Sequence, residues 1–239
     1  MEKPETVIPK IIHQIWSGVK SPLPDFMKEW GQSWIKHNPA WQYELWENDR
    51  MNSFIREYFP EYVDVYNRFP YDVQRWDAIR YLILWKMGGM YVDFDYECLE
   101  SFEDILQGKE CCFSMEPDDH LNPKNEKTPY FFNNAIIACI AKHPFIHTII
   151  KEVFSGKECE YRVDDKFHYV MGSTGPLRLV DIYEKYERKD EIYLIPAELV
   201  SPFGIGEIRV ILSGIKNRYL EEKLQKARAI HYFLGTWRL

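Results

Sequence analysis

Two hydrophobic periods alternate along this chain. Ile8–Trp16 (IPKIIHQIW), with Ile at 8, 11, 12 and 15 and Pro9 tolerated near its start, looks like a first strand. Over Pro24–His37, Phe26, Trp30 and Trp34 recur at four-residue spacing, a helical stripe that stops before Pro39. Trp41–Trp46 alternates apolar and polar residues and reads as a second strand. Met51–Phe59 and Glu61–Phe69 read as short helices punctuated by Pro60 and Pro70. Asp72 is positioned to cap a helix over Val73–Met87, which Gly88-Gly89 would stop. Met90–Glu97 follows as a strand.

Downstream the alternation continues. Cys111–Met115 and Phe131–Cys139 read as strands, separated by a long polar segment, Glu116–Pro129, whose length suits a lid. Pro144–Phe154 is helical, and His143-Pro144 marks its start. Gly172–Pro176 (GSTGP) turns into a helix with Pro176 at its first position. Glu191–Ile195 is a strand, Lys216–Arg228 an amphipathic charged helix, and Ala229–Phe233 a last strand before a Gly235-Thr236-Trp237 tail. Strands alternating with helices predict an α/β fold in a single domain over 1–239.

The centre of the chain carries the chemistry. Arg75–Glu97 (RWDAIRYLILWKMGGMYVDFDYE) combines a buried helix, a glycine break and a strand ending in Asp93 and Asp95. Side chains of a strand alternate faces, so these two carboxylates share one. Like charges held close behind an apolar segment call for a hard divalent cation, which prefers carboxylate oxygens. Asp77 and Arg80 share a helix face three residues apart, and could orient a sugar beside a metal-bound pyrophosphate.

Composition narrows the choice. A formal net charge of −7 argues against a nucleic-acid partner, which needs a basic stripe. The eight Trp and sixteen Tyr suit either a large core or sugar and base platforms, with core the expectation for most. Five cysteines without a CxxC pair read as buried free thiols of a reducing compartment. MEKPETVIPK has no apolar core of a signal peptide, and no run approaches the roughly 20 residues that span a bilayer. The expected location is therefore cytoplasmic, with the inner face of a membrane open to it. Peripheral membrane contact stays open, without support from the acidic balance.

IPKIIHQIW at 8–16, RWDAIRYLILWKMGGMYVDFD at 75–95, STGP at 173–176 and HYFLGTW at 231–237 together resemble glycosyltransferase family 32, the DXD-containing sugar transferases. That resemblance implies a GT-A type, Rossmann-like nucleotide-sugar-binding fold with a mixed central sheet. It implies that a hexose moves, with retention, from a UDP- or GDP-hexose to a glycan or lipid-linked oligosaccharide acceptor in surface polysaccharide biosynthesis, with Mn²⁺ or Mg²⁺ as cofactor. By the same resemblance Asp93 and Asp95 are the metal and ribose contacts, and Asp77 and Arg80 bind donor sugar and phosphate. Trp16 stacks on the base, His231 falls where a third metal ligand stands, and Thr236 and Trp237 fold over the pyrophosphate. Thr174-Gly175-Pro176 matches a turn near the acceptor with no chemical role.

Alternatives stand beside several of these. His231 alone would read as a core histidine, and Trp46 competes with Trp16 but is expected in the core. His13 and Gln14 are expected to organise the first turn. Asn133-Asn134 could face the acceptor or simply end a strand. A haloacid-dehalogenase-like phosphohydrolase would also place DxD after an apolar strand, but it wants Thr or Val where Glu97 stands. A non-catalytic carbohydrate-binding protein, or a degenerate transferase serving as a scaffold, completes the field. The intact Asp77, Arg80, Asp93 and Asp95 oppose the last.

Overall fold

The computed structural model describes residues 7–120, 130–157 and 159–238. Eight strands form β1 (Ile11–Ile15), β2 (Gln42–Trp46), β3 (Gly89–Val92), β4 (Tyr96–Cys98), β5 (Cys111–Met115), β6 (Phe132–Cys139), β7 (Tyr193–Ile195) and β8 (Ala229–His231). Six of them build one sheet in the order β2-β1-β3-β6-β5-β7, and β4 pairs with β8 in a second, two-stranded sheet. β1 runs parallel to β2 and β3, β6 runs antiparallel to β3 and β5, and β7 runs parallel to β5. This is the mixed α/β sheet expected.

The sheet is covered on both faces, which the alternation along its strands shows directly. Tyr91, Ile137 and Cys139 join one apolar cluster, while Met90, Val92, Ile136 and Ala138 join the other. Trp46 is in the core, as expected, at 2% exposure. Helices α1 (Asp25–His37), α2 (Asn48–Tyr58), α3 (Val63–Arg68), α4 (Asp72–Met87), α5 (Glu103–Leu106), α6 (Pro144–Val153), α7 (Lys166–Ser173), α8 (Pro176–Lys185), α9 (Ala197–Val200), α10 (Ile205–Leu212) and α11 (Arg218–Leu224) fill the connections. α4 is buried almost all round from Asp77 to Leu84, with Ala78, Ile79, Tyr81, Leu82, Ile83 and Leu84 each fully buried beside the polar Asp77 and Arg80.

Several expectations are corrected. Met90–Glu97 is two strands, β3 and β4, because the chain turns at Asp93-Phe94-Asp95 and leaves the main sheet. Asp72 is the first residue of α4 and not its cap; Tyr71 stands outside the helix, and Gln74 Oε1 accepts from the Tyr71 N–H at 3.1 Å. Glu61–Phe69 divides into a 3₁₀ turn at Pro60–Tyr62 and α3. The helix over Lys216–Arg228 shrinks to Arg218–Leu224, since Asn217 caps it by accepting from the N–H groups of Tyr219 and Leu220. Residues 121–129 of the expected lid lie outside the described residues. Among the described residues no helix is long and apolar enough to cross a membrane.

The glycine break is obligatory. Gly88 (φ 67°) and Gly89 (φ 99°) adopt a backbone that disfavours side chains, and a Cβ on Gly89 would sit 2.6 Å from the Ile11 carbonyl oxygen. His13 locks this corner, 75 residues on in the chain, and not the first turn expected of it. Its Nε2 donates to the Gly88 carbonyl at 2.9 Å, and its Nδ1 accepts from Trp46 Nε1–H at 3.1 Å. Only the neutral imidazole can do both, and burial pushes its pKa down to about 4.

The unfolded chain takes up this proton near pH 6.5, before the folded protein does. The stability tied to His13 is therefore complete above pH 6.5 and drains away as pH falls from 6.5 towards 4, by on the order of 3 kcal/mol. Urea unfolding across that window should show this slope. In His13→Gln the slope should be shallower, and identical slopes would refute the assignment.

Candidate active site

β3 delivers its acidic end beside the end of β1, at the carboxyl edge where α/β sheets bind ligands. The turn is pinned at each residue. Asp93 N–H donates to Ala135 O at 2.8 Å, and Tyr96 N–H donates to Asp93 O at 3.2 Å. Tyr232 N–H donates to Asp95 O, also at 2.8 Å, so β8 holds the second aspartate. Phe94 anchors the turn from within. It is 5% exposed and meets Gly31 of α1, where an added Cβ would lie 2.7 Å from Phe94 Cε1.

Behind the turn stands Arg80, 4% exposed. Its guanidinium reaches Asp77 Oδ1 at 2.9 Å, Asp93 Oδ1 at 3.3 Å and the Asn134 carbonyl at 2.6 Å. It also lies 4.3 Å over the Tyr91 ring, whose hydroxyl donates to Asp93. Asp77 is equally engaged: Oδ1 also accepts from Asn134 Nδ2 at 3.0 Å, and Oδ2 accepts from Thr174 Oγ1 at 2.9 Å. The Asp77–Arg80 pair is thus no surface ion pair but the centre of a buried network joining α4, β3, β6 and the start of α8.

Environment makes the two turn carboxylates unequal. Burial, then the neighbouring Asp95 charge, push Asp93 up to about 6 against the pull of Arg80. Burial acts on Asp95 in the same direction, but His231 and the Leu234 N–H, 3.0 Å from Oδ2, hold its carboxyl below the usual range. Of the two side chains, 30% of Asp93 and 14% of Asp95 remain open, and both line one cavity of about 870 Å³. That volume lies within the range of ligand sites.

The same cavity gathers Asp77, Arg80, Trp16, His231, Thr236 and Trp237. Trp16 follows β1, with its Nε1–H donating to Ser21 O at 3.0 Å and its ring set edge-on to Phe94. Trp237 lies parallel to Phe167 at a centroid distance of 5.9 Å, bringing the tail against α7. His231 stacks on Tyr96 at 4.1 Å, with Nε2 3.4 Å from Asp95 Oδ1; its buried Nδ1 lacks a hydrogen-bond partner. Among the described residues, no three His, Cys, Asp or Glu side chains are arranged to hold a metal alone. Asp93, Asp95 and His231 nevertheless offer carboxylate oxygens and an imidazole at one cavity wall, a donor set that suits Mn²⁺ or Mg²⁺ completed by oxygens of a ligand and water.

The sequence did not single out the roles of Asn134, Thr174 and Tyr91. Their partners lie far away in the chain, Thr174 being 97 residues from Asp77. The GSTGP and Asn-Asn signals were visible, but nothing local ties them to Asp77. Glu116 also lines the cavity, accepting from Asn133 Nδ2 at 3.0 Å and contacting His120 Nδ1 at 2.7 Å.

Comparison with known proteins now decides the family. Residues 24–112, which hold the turn and α4, match the family described as "Glycosyltransferase sugar-binding region containing DXD motif". An uncharacterized glycosyltransferase, L373, of Acanthamoeba polyphaga mimivirus is 30% identical over 83% of this chain and 75% of its own length. The chain belongs to the DXD-containing glycosyltransferases of family 32. It is also 31% identical to the mannosyl phosphorylinositol ceramide synthase SUR1 of Saccharomyces cerevisiae, over 78% of this chain and 44% of that protein. Inositol phosphoceramide mannosyltransferase 2 of Schizosaccharomyces pombe is 29% identical over 77% of this chain and 49% of its own length. The chain thus spans about half the length of these yeast relatives. The PaToxG glycosyltransferase structure overlaps 90% of this chain and 76% of its own at a TM-score of 0.48 and 17% identity, too loosely to add to the assignment. Family membership leaves the phosphohydrolase reading without support.

Removing Arg80 would leave Asp77 and Asp93 facing each other's charge without a buried counter-ion. Arg80→Met should cost about 3–5 kcal/mol in urea unfolding. In the double variant Asp77→Leu/Arg80→Met the two losses should fall short of their sum by about 1–3 kcal/mol, and strict additivity would show that the pair is not coupled.

Proposed function

We propose that the protein is a metal-dependent, retaining hexosyltransferase. It would take a hexose from a nucleoside-diphosphate sugar and pass it to a glycan or lipid-linked oligosaccharide in surface polysaccharide synthesis. The observation that carries this reading is the convergence of Asp93 and Asp95 on one cavity that Trp16, Thr236 and Trp237 also line. The yeast relatives are named for mannosyl transfer, which makes GDP-mannose the first donor to try.

Asp93, Asp95 and His231 would hold the cation, which when bound neutralises charge developing on the leaving diphosphate. Arg80 and the Tyr91 hydroxyl keep Asp93 fixed on the wall without needing reorganisation during the reaction. A carboxylate offers about four lone-pair sites, and Asp77 already uses three on Arg80, Asn134 and Thr174. The remaining one suits a single sugar hydroxyl. Trp16 offers a flat face for the base, and the tail limits water at the donor, which restrains wasteful hydrolysis.

Retention is carried over from the family resemblance. Glu116 is tied to His120 and Asn133, and Asp77 is buried in its network, so neither stands ready as a covalent nucleophile, which weighs against a double displacement as the route. A front-face attack, with the leaving phosphate taking the acceptor proton, fits such a wall.

Titration calorimetry of GDP and UDP tests the reading. Wild type should bind one of them with Mn²⁺ present and lose at least tenfold in affinity with EDTA. Asp95→Asn should lose the Mn²⁺-dependent part while its far-UV circular dichroism is unchanged. Equal affinity in wild type and variant would count against the metal assignment. A thermal-shift series of nucleotide hexoses with Mn²⁺ then identifies the donor by the largest rise in melting temperature.

A further inference from the structure

The chain is acidic as a whole, yet the tip of one hairpin is not. From Ile208 to Leu220 (IRVILSGIKNRYL) there are three cations, Arg209, Lys216 and Arg218, and no carboxylate. Glu207, Glu221 and Glu222 border the stretch, and Glu222 pairs with Arg218 at 3.0 Å, which leaves Arg209 and Lys216 as the cations the tip can offer. This stretch is the end of α10, a tight reversal and the start of α11. Every residue from 212 to 219 is exposed. Three of them are large and apolar: Leu212 is 55% exposed, Ile215 64% and Tyr219 61%. Single exposed apolar residues are ordinary; three at one hairpin tip, flanked by cations, are not.

The tip stands clear of the body. Gly214 adopts φ 72°, which the reversal requires, and a Cβ placed there would meet nothing within 4 Å. Below the tip the hairpin is firmly seated. Ile208 and Leu220 enter an apolar cluster with Phe203, Ile230 and Tyr232, against which Trp30, Val210 and Ile211 also pack. The exposed apolar residues are therefore the outer side of a well-packed pair of helices, not a frayed end.

We infer that this hairpin docks on an anionic lipid surface, with Leu212, Ile215 and Tyr219 entering the headgroup region and Arg209 and Lys216 engaging lipid phosphates. Charge complementarity selects this occupant. Cations next to inserted apolar side chains are the pattern of interfacial binding, and each basic residue near an anionic bilayer adds to the attraction. A second copy of this chain pairing through the same patch would set the Arg209 and Lys216 charges of the two copies against each other. An acidic soluble protein would satisfy the cations and leave Ile215 in water.

The position of the hairpin ties it to the active site. α10 starts at the cavity: Ile205 lines it, and the Ile205 N–H points to His120 Nε2 at 3.4 Å. From Ile205 to the tip at Leu212 the helix rises only about 10 Å. Docking at the tip would hold the cavity wall within about one headgroup layer of the bilayer, where a lipid-linked acceptor presents its sugar. This placement deepens the acceptor reading above and rests on it; the docking itself does not.

Vesicle co-sedimentation tests it. Wild type should pellet with phosphatidylcholine vesicles containing 30% phosphatidylglycerol (roughly the charge density at which basic patches bind), and remain in the supernatant with phosphatidylcholine alone or in 0.5 M NaCl. Arg209→Glu/Lys216→Glu and, separately, Leu212→Ser/Ile215→Ser should each lower the partition coefficient by about tenfold or more. Both variants should keep wild-type Mn²⁺-dependent nucleotide affinity, so failure of docking and failure of the transferase reading are read separately. Wild type left in the supernatant with anionic vesicles, or variants that pellet as wild type does, would overturn the inference.

Discussion

One buried guanidinium organises this molecule. Arg80 draws together two carboxylates, a backbone carbonyl and an aromatic ring, and those groups come from α4, β3 and β6. A buried charge is tolerable only when it is paired and hydrogen-bonded, and here each guanidinium nitrogen has a partner, Nε donating to the Trp76 carbonyl at 3.3 Å. The consequence reaches the cavity, because one of the groups so held is Asp93. The wall on which a sugar nucleotide would lie is therefore part of the hydrophobic interior's own polar accounting and not an appendage to it.

The two acidic residues of the turn have different physical situations despite their symmetry in the motif. Asp93 leans inward on Arg80 and Tyr91 and is raised by burial and by its neighbour. Asp95 leans towards β8, where His231 and a backbone N–H favour its ionised form. Two like groups two residues apart thus have pKa values pushed apart by their surroundings alone.

Much of this was legible in the residues. The Ile-rich stretch 8–16, the helix ending in Gly88-Gly89 with its Tyr81–Trp85 apolar run, and the mostly apolar stretch Phe131–Cys139 each report an element whose environment is set locally by burial. The break at Asp93-Phe94-Asp95 was not legible, since Val-Asp-Phe-Asp-Tyr alternates as a strand would; the turn is imposed by β8 arriving from far downstream. α7 and α10 were missed for another reason. Both are eight residues long, too short for a helical stripe to declare itself. The site roles of Asn134 and Thr174 depend on tertiary meetings with Asp77 that no spacing encodes. Trp16, His231 and the tail residues were placed by family resemblance, and the fold brings all of them to the same cavity.

Asp95 is fastened by a backbone N–H that lies 139 residues further on, at Leu234. A ribosome making roughly 5–20 residues per second needs on the order of ten seconds to travel from one to the other. During that interval the nascent chain owns both aspartates but only half of the geometry, with the second one hanging from an unpaired β4. The fastening of the second aspartate is therefore complete only after translation has passed β8 and reached Leu234.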